Sequence, residues 1–214
     1  MMLETLNPEY RFSSLVKITP EWMRRHQYRV LLMDIDNTLL PRNSCVVPDR
    51  HMDWLQEMQR QGIVVVLASN NGGERVAAIE RQLSEEGLRI PVLTWAGKPF
   101  PRAYAGALRL LEESFPAMGF EVTKRPCRTS DGDKAKNSGS GTAAAGAEPA
   151  GHILAAGDQM FTDILGAHWY NLPVAWLRPL SENDFIGTKV LRFLEKRVAR
   201  RLMRQGILPE EDRE

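Results

Sequence analysis

The feature that most constrains the fold is an alternation of short, continuous apolar runs with longer amphipathic segments. Five runs are typical of strands buried on both faces of a sheet, namely "RVLLMDI", "IVVVLAS", "IPVLTW", "HILAAGD" and "PVAWL". Stretches such as 48–62 and 101–114 lie between these runs and carry apolar residues at helical spacing. The pattern predicts an α/β fold with a doubly wound parallel sheet of about five strands, in which ligands bind beyond the carboxyl ends of the strands.

Composition and charge exclude several classes of protein. The chain has 214 residues, of which 43% are hydrophobic and 26% charged, and its net charge of +1 does not point to a polyanionic partner. The two cysteines, Cys45 and Cys127, lack the spacing of a zinc site. The first residues, "MMLETLNPEYRF", have no apolar core of a signal peptide, and no apolar run reaches the roughly 20 residues that span a bilayer. We therefore expect a cytoplasmic protein.

Two segments fall outside the alternating pattern. Residues 129–151 are rich in Gly, Ala and Ser and poor in large apolar side chains, which predicts a flexible insertion. The segment Lys189–Arg204 carries seven basic residues against the single Glu195, with Leu191, Leu194, Val198 and Leu202 at helical spacing. It predicts a basic amphipathic helix.

The basic helix has two open interpretations. It packs on the core as a solvated helix, or it contacts an anionic membrane surface through Lys189–Arg204. We expect no nucleic acid, because no aromatic stacking platform accompanies the charges. The expected organisation is an N-terminal extension over 1–27, a core over 28–180 and the C-terminal basic helix over 181–214.

Polar side chains stand where the predicted strands end, and they suggest phosphoryl chemistry. The residues are Asp34 and Asp36 after the first strand, Ser69 after the second, Lys98 after the third, Asp158 after the fourth, and Asp163 five residues later. A carboxylate can attack phosphorus and form an acyl phosphate, and a second acid can protonate the leaving oxygen and then activate water. Crowded carboxylates repel one another and favour a hard divalent cation, for which Mg²⁺ is the best fit.

These motifs resemble those of the haloacid dehalogenase (HAD) superfamily of aspartate-dependent phosphohydrolases. The matching features are "DIDNTL", Ser69 after an apolar strand, Lys98 and "GDQMFTD". The chain is more narrowly similar to the YqeG group of HAD subfamily IIIA phosphatases, through "ITPEWMRRHQ", "SNN", "GKPFPRA" and "DFIGTKVLRFLEKRVARRLMRQGIL". The resemblance covers nearly the whole chain except residues 117–151.

The resemblance implies a Rossmann-like HAD core and a role for each matching residue. It makes Asp34 the nucleophile and Asp36 the general acid and base, while Ser69 and Lys98 bind the phosphoryl group. It assigns Mg²⁺ to Asp158, the carboxylate of Asp34 and the main-chain carbonyl of Asp36. It also implies that Asn70 lies beside the phosphate pocket, that Thr38 holds the turn after the nucleophile, and that Asp163 supports the metal's waters or Lys98.

The spacing of the motifs bears on the substrate. Neither the stretch from Asp36 to Ser69 nor that from Ser69 to Lys98 has room for a cap domain, so we expect a capless, open site that suits a bulky substrate. Eukaryotic relatives of the group are phosphatidylglycerophosphate phosphatases, so the resemblance implies a lipid phosphate such as phosphatidylglycerophosphate. The basic helix, in its membrane interpretation, predicts peripheral contact with the inner membrane surface. The alternatives are a general small-molecule or protein phosphatase, a phospho-acceptor signalling domain, and a non-catalytic binding protein at a membrane or a ribosome-linked partner.

Overall fold

A parallel β-sheet forms the centre of the molecule. The computed structural model describes residues 4–118, 153–181 and 186–211, and the predicted insertion at 129–151 lies outside them. Six parallel strands pair in the order β1-β6-β5-β2-β3-β4. They are β1 (Tyr10–Phe12), β2 (Val30–Met33), β3 (Val64–Ala68), β4 (Val92–Leu93), β5 (Ile153–Gly157) and β6 (Val174–Leu177).

Helices cover both faces of this sheet, which confirms the predicted doubly wound α/β architecture. They are α1 (Pro20–Arg25), α2 (Asp49–Arg60), α3 (Glu74–Glu85), α4 (Pro101–Ser114), α5 (Leu165–Trp169) and α6 (Ile186–Arg204), with a π-helix over Met160–Ile164 directly before α5. Short 3-10 helices span Glu4–Leu6, Leu15–Lys17 and Pro116–Met118.

The central strand β2 shows why the sheet is apolar on both faces. Successive side chains of a strand point to opposite faces. Leu31 and Met33 accordingly pack in one buried cluster with residues of α2 and α3, whereas Val30 and Leu32 pack in a second cluster with residues of α4, α5 and α6. Burial on both faces accounts for the continuous apolar runs in the sequence.

The edge strand β1 is absent from the sequence prediction. It comprises only Tyr10–Phe12, in the segment expected to be an N-terminal extension, and its "YRF" sequence has no continuous apolar run. In the structure it pairs with β6, where Phe12 lies opposite Leu177, and the Phe12 side chain is buried. Part of residues 1–27 therefore shares the central sheet, and the domain boundaries stay a prediction.

The basic helix α6 packs on the core, but its contact face differs from the predicted apolar stripe. Ala199 and Leu202 are buried there, and so is Glu195, whose carboxylate accepts a hydrogen bond from the main-chain N–H of Phe161 at 3.3 Å. Successive residues of a helix are about 100° apart, so Leu194 points away from the face that Glu195 occupies. Leu194 is 45% exposed, which corrects its predicted place on the apolar face.

The basic side chains of α6 that the structure describes face solvent, namely Lys196, Arg197, Arg200, Arg201 and Arg204. Contact of this surface with a membrane stays a prediction. Among the helices in the described ranges, none is both long and apolar enough to cross a bilayer.

Candidate active site

The predicted site residues lie at one edge of the sheet. Asp34 follows β2, Ser69 follows β3 and Asp158 follows β5, and the carboxyl ends of these parallel strands share that edge. The structure brings Asp34, Asp158 and Asp163 into a buried group whose carboxylate oxygens lie within 4.8 Å of one another. All of these ligand atoms are oxygen, which is the set that Mg²⁺ prefers.

The ammonium of Lys98 lies between two of these carboxylates. Its Nζ is 2.5 Å from Asp34 Oδ1 and 2.8 Å from Asp163 Oδ1. All three side chains are nearly inaccessible to solvent, at 5 to 7% exposure. Charge-assisted hydrogen bonds of this kind are stronger than neutral ones and strongly restrict the positions of their partners.

The environment of Asp163 fixes its carboxylate against the lysine. Its Oδ2 accepts a hydrogen bond from the main-chain N–H of Gln159 at 3.1 Å, and its main-chain carbonyl accepts one from the Tyr104 hydroxyl at 2.8 Å. A Cβ atom at Gly157 would lie 2.3 Å from the Asp163 carboxyl group. Glycine at 157 is therefore required for the close approach of Asp163 to the end of β5.

The negative charge of the cluster exceeds the positive charge of its lysine, and the pKa values reflect this. Burial raises the pKa of Asp34 to about 8; Lys98 opposes the rise, and Asp163 and Asp158 add to it. Burial alone would lower the pKa of Lys98, but Asp163 and Asp34 raise it above its ordinary value. The raised pKa of Lys98 favours its charged form, and the raised pKa of Asp34 favours its protonated form, which additional positive charge in the cluster would oppose.

Asp36 has separate partners that the sequence analysis did not identify. Asn71 Nδ2 donates a hydrogen bond to Asp36 Oδ2 at 2.6 Å, and Arg75 Nη2 lies 2.8 Å from Asp36 Oδ1. Arg75 is itself held by its Nε, which donates to the main-chain carbonyl of Ser44 at 3.0 Å. A polar residue after a strand and an arginine in the first turn of a helix are common surface features, so the sequence carries no specific signal for either partner.

Asn70 and Ser69 shape the loop beside the cluster. The side-chain Oδ1 of Asn70 accepts from the main-chain N–H of Lys98 at 2.7 Å, and its Nδ2 donates to the Lys98 carbonyl at 3.0 Å. Asn70 therefore fixes the backbone of the lysine. Ser69 is fully buried, and its hydroxyl oxygen accepts the main-chain N–H of Asn71 at 3.0 Å, which leaves the hydroxyl proton available for donation.

The turn after Asp36 is held by Asn37 rather than by Thr38. Asn37 has a left-handed backbone with φ of 60°, and its N–H donates to the carbonyl of Leu40 at 2.9 Å. Its side-chain Oδ1 accepts from the hydroxyl of Ser181 at 2.8 Å. Thr38 is buried, but its hydroxyl has no hydrogen-bond partner among the described residues.

One relative links the chain to phosphatases over nearly its whole length. The chain is 26% identical over 206 residues to the probable phosphatase YqeG of Bacillus subtilis (strain 168), a match that covers 96% of both proteins. No protein-family model matches the chain. A crystal structure of a haloacid dehalogenase-like family hydrolase from Brucella suis 1330 shares 12% identity, covers 78% of this chain and 93% of its own, and superposes with a TM-score of 0.43. That structural likeness is too distant to bear on activity.

The doubly wound parallel sheet with this acidic cluster at its carboxyl edge, together with the match over 96% of the chain to a probable phosphatase, supports the prediction of a phosphatase. Within that class, the predicted resemblance to the YqeG group is confirmed.

The raised pKa of Asp34 predicts a specific dependence of stability on pH. In metal-free buffer the folded state holds a proton on Asp34 that the unfolded chain releases, so the free energy of unfolding falls as the pH rises from about 4 to about 8. Asp34→Asn, which cannot ionise, gains stability relative to the wild type across this range. Urea unfolding at several pH values measures the difference. Asp53→Asn, at an exposed position of α2, is the control. If the free energies of unfolding of Asp34→Asn and wild type differ by the same amount at every pH, the prediction is contradicted.

Proposed function

We propose that the protein is a Mg²⁺-dependent phosphomonoester hydrolase that acts through a phosphoaspartyl intermediate on Asp34. The proposed substrate is a bulky or lipid phosphate such as phosphatidylglycerophosphate. The observation that carries the proposal is the buried contact of Asp34 with Lys98 at the end of β2, with Asp158 and Asp163 beside it. A buried, positioned carboxylate next to a cation is suited to nucleophilic attack on a phosphoryl group.

In the first step, a carboxylate oxygen of Asp34 attacks the phosphorus atom and forms an acyl phosphate. The phosphorus–oxygen ester bond breaks as Asp36, acting as the general acid, gives a proton to the departing alkoxide. Lys98 places positive charge beside the phosphoryl oxygens, and the Ser69 hydroxyl supplies a hydrogen-bond donor. Asn70 supports this step indirectly because it holds the Lys98 main chain.

In the second step, the Asp36 carboxylate takes a proton from a water molecule as that water attacks the phosphorus of the acyl phosphate. The bond between phosphorus and the Asp34 oxygen breaks, which releases inorganic phosphate and restores the carboxylate. Asn71 and Arg75 keep the Asp36 carboxylate apart from the cluster around Lys98. The two aspartates therefore have different surroundings, as different roles require.

The acidic cluster fits a divalent cation. Its carboxylates offer oxygen ligands within 4.8 Å, and their combined charge is not balanced by Lys98. Asp34 and Asp158 would hold Mg²⁺ with the main-chain carbonyl of Asp36, while Asp163 stays on the lysine side. When bound, the ion supplies positive charge that neutralises phosphoryl oxygens and lowers the pKa of Asp34 toward the ionised form.

The surroundings of the site support a large substrate. Between Asp36 and Ser69 the helical structure is α2, and between Ser69 and Lys98 the chain forms only α3 and β4, so neither described stretch contains a cap domain. Trp95 and Phe100 follow β4 on either side of Lys98 and are 71% and 54% exposed. Exposed aromatic side chains and the basic surface of α6 suit peripheral contact with the inner membrane surface, where tryptophan and cationic residues are favoured.

Replacement of the nucleophile tests the chemistry. Asp34→Asn removes the attacking oxygen without a large change in size, so we expect phosphate release to fall by several orders of magnitude while the circular dichroism spectrum is retained. The exposed control Asp53→Asn keeps wild-type turnover. EDTA abolishes wild-type turnover and Mg²⁺ restores it. Undiminished phosphate release by Asp34→Asn would contradict the assignment of the nucleophile.

A substrate comparison tests the lipid proposal. Wild-type protein is assayed with phosphatidylglycerophosphate in mixed micelles and with soluble sugar phosphates at matched concentrations. We expect a higher kcat/KM for the lipid, because a capless site gives no enclosure to a small substrate. Equal values for both kinds of substrate would instead identify a general phosphatase.

A further inference from the structure

Arg75, in the first turn of α3, connects Asp36 to a neighbouring loop. Its Nη2 lies 2.8 Å from Asp36 Oδ1, and its Nε donates a hydrogen bond to the main-chain carbonyl of Ser44 at 3.0 Å. About two turns further along α3, the side-chain Oε1 of Gln82 accepts the main-chain N–H of Val47 at 2.9 Å, so the helix holds the same loop at a second place. The guanidinium group is therefore fixed between the helix and the loop where it meets Asp36.

The other oxygen of the Asp36 carboxyl group is held by Asn71. Asn71 Nδ2 donates a hydrogen bond to Asp36 Oδ2 at 2.6 Å. The main chain of Asn71 is held on both sides, because its N–H donates to the Ser69 hydroxyl oxygen at 3.0 Å and its carbonyl accepts the N–H of Trp95 at 3.2 Å. The loop after β3 and the start of α3 thus fix the direction of one carboxyl group from two sides.

The contacts at the two carboxyl oxygens differ in geometry. The contact from Asn71 to Oδ2 is an aligned hydrogen bond, whereas Asp36 Oδ1 and Arg75 Nη2 have no hydrogen-bond partner among the described residues although they lie 2.8 Å apart. Hydrogen bonds weaken steeply when the donor is misaligned, but the attraction between opposite charges does not depend on this angle. Oδ2 is therefore the oxygen that fixes the carboxyl group, and Oδ1 keeps a lone pair for the proton that a general acid transfers.

The burial of this pair makes the position of Asp36 sensitive to both partners. The Asp36 side chain is 5% exposed, and that of Arg75 is 23% exposed. A buried carboxylate that loses its counter-charge is costly, and other donors compete for it. Proton transfer requires the acid within hydrogen-bond reach of the ester oxygen, and a misplacement of about 1 Å costs roughly a hundredfold in rate.

We propose that Arg75 and Asn71 are positioning residues, which orient the Asp36 carboxyl group for proton transfer to the leaving group. The inference rests on the proposed function and deepens it, because it assigns a role in the departure of the leaving group to two residues outside the phosphoryl contacts. As the phosphorus–oxygen ester bond breaks, the proton passes from Asp36 Oδ1 to the ester oxygen and leaves a carboxylate. A strongly basic leaving group needs this proton, whereas a weakly basic one departs as an anion without it.

The test compares two aryl esters of similar shape, phenyl phosphate and 2,4-dinitrophenyl phosphate. With Mg²⁺ present and the protein in saturating excess, release of the phenol in a single turnover measures the first step alone. Arg75→Gln and Asn71→Ala are each expected to slow release of phenol by about a hundredfold and release of the weakly basic dinitrophenolate by less than about threefold. Arg81→Gln, at an exposed position of α3, is the matched control and keeps both rates.

A double-mutant cycle distinguishes orientation of Asp36 from a general effect on the fold. In protein that already carries Asp36→Asn, Arg75→Gln is expected to cause no further loss with phenyl phosphate, because the group that it orients no longer transfers a proton. Circular dichroism verifies the fold of each variant, and if Arg75→Gln does not fold, Asn71→Ala is judged by the same comparison.

Equal slowing of both esters, or a loss from Arg75→Gln that persists in full beside Asp36→Asn, would overturn the inference and leave the phosphatase proposal intact. Wild-type protein that releases neither phenol would overturn the proposed function, and the inference with it.

Discussion

The contact of the Lys98 ammonium with Asp34 and Asp163 is the interaction on which the rest of the site depends. Transfer of a carboxylate from water to a protein interior costs several kcal/mol unless it is paired and hydrogen-bonded. One ammonium offsets the charge of one carboxylate, yet Asp34, Asp158 and Asp163 all lie in the buried group. Burial and the remaining negative charge together raise the pKa of Asp34, and the same negative charge makes the cluster suited to a divalent cation.

The scaffold around this contact fixes each participant by a different means. Asp34 is placed by the β2–β5 pairing, because its N–H donates to the carbonyl of Ala156 at 3.1 Å. Lys98 is placed by both ends of the Asn70 amide, and Asp163 by the space that Gly157 leaves. The candidate site is therefore positioned by sheet register and backbone contacts.

The sequence predicted the parts of the fold that have a strong hydrophobic pattern. The central strands were predictable because burial on both faces demands continuous apolar runs such as those of β2 and β3. The edge strand β1 was not, since three residues at a sheet edge leave no such pattern. The side of α6 that packs on the core was predicted wrongly. In the structure Glu195 is buried and accepts a main-chain N–H, whereas a glutamate in a basic amphipathic sequence is expected to face solvent.

The residues of the candidate site divide in the same way, into those that a sequence pattern predicts and those that it does not. Asp34, Asp158 and Lys98 could be proposed from the sequence because each follows a strand, and parallel strands end at one edge. Arg75 and Asn71 could not, because their role depends on the direction of side chains across a loop. In the structure the hydrogen bonds that hold the turn after Asp36 come from Asn37, whereas the resemblance to HAD proteins implies this role for Thr38.

A crystal structure with Mg²⁺ and beryllium fluoride shows whether Asp34 is the residue that receives the phosphoryl group. Beryllium fluoride forms a stable analogue of an acyl phosphate on the carboxylate that is the nucleophile. If Asp34 is the nucleophile, we expect a beryllium–oxygen bond to one of its carboxylate oxygens, with fluorine atoms directed at Lys98 and Ser69. Attachment to a different carboxylate, or a beryllium fluoride group bound only at another part of the protein, would contradict it.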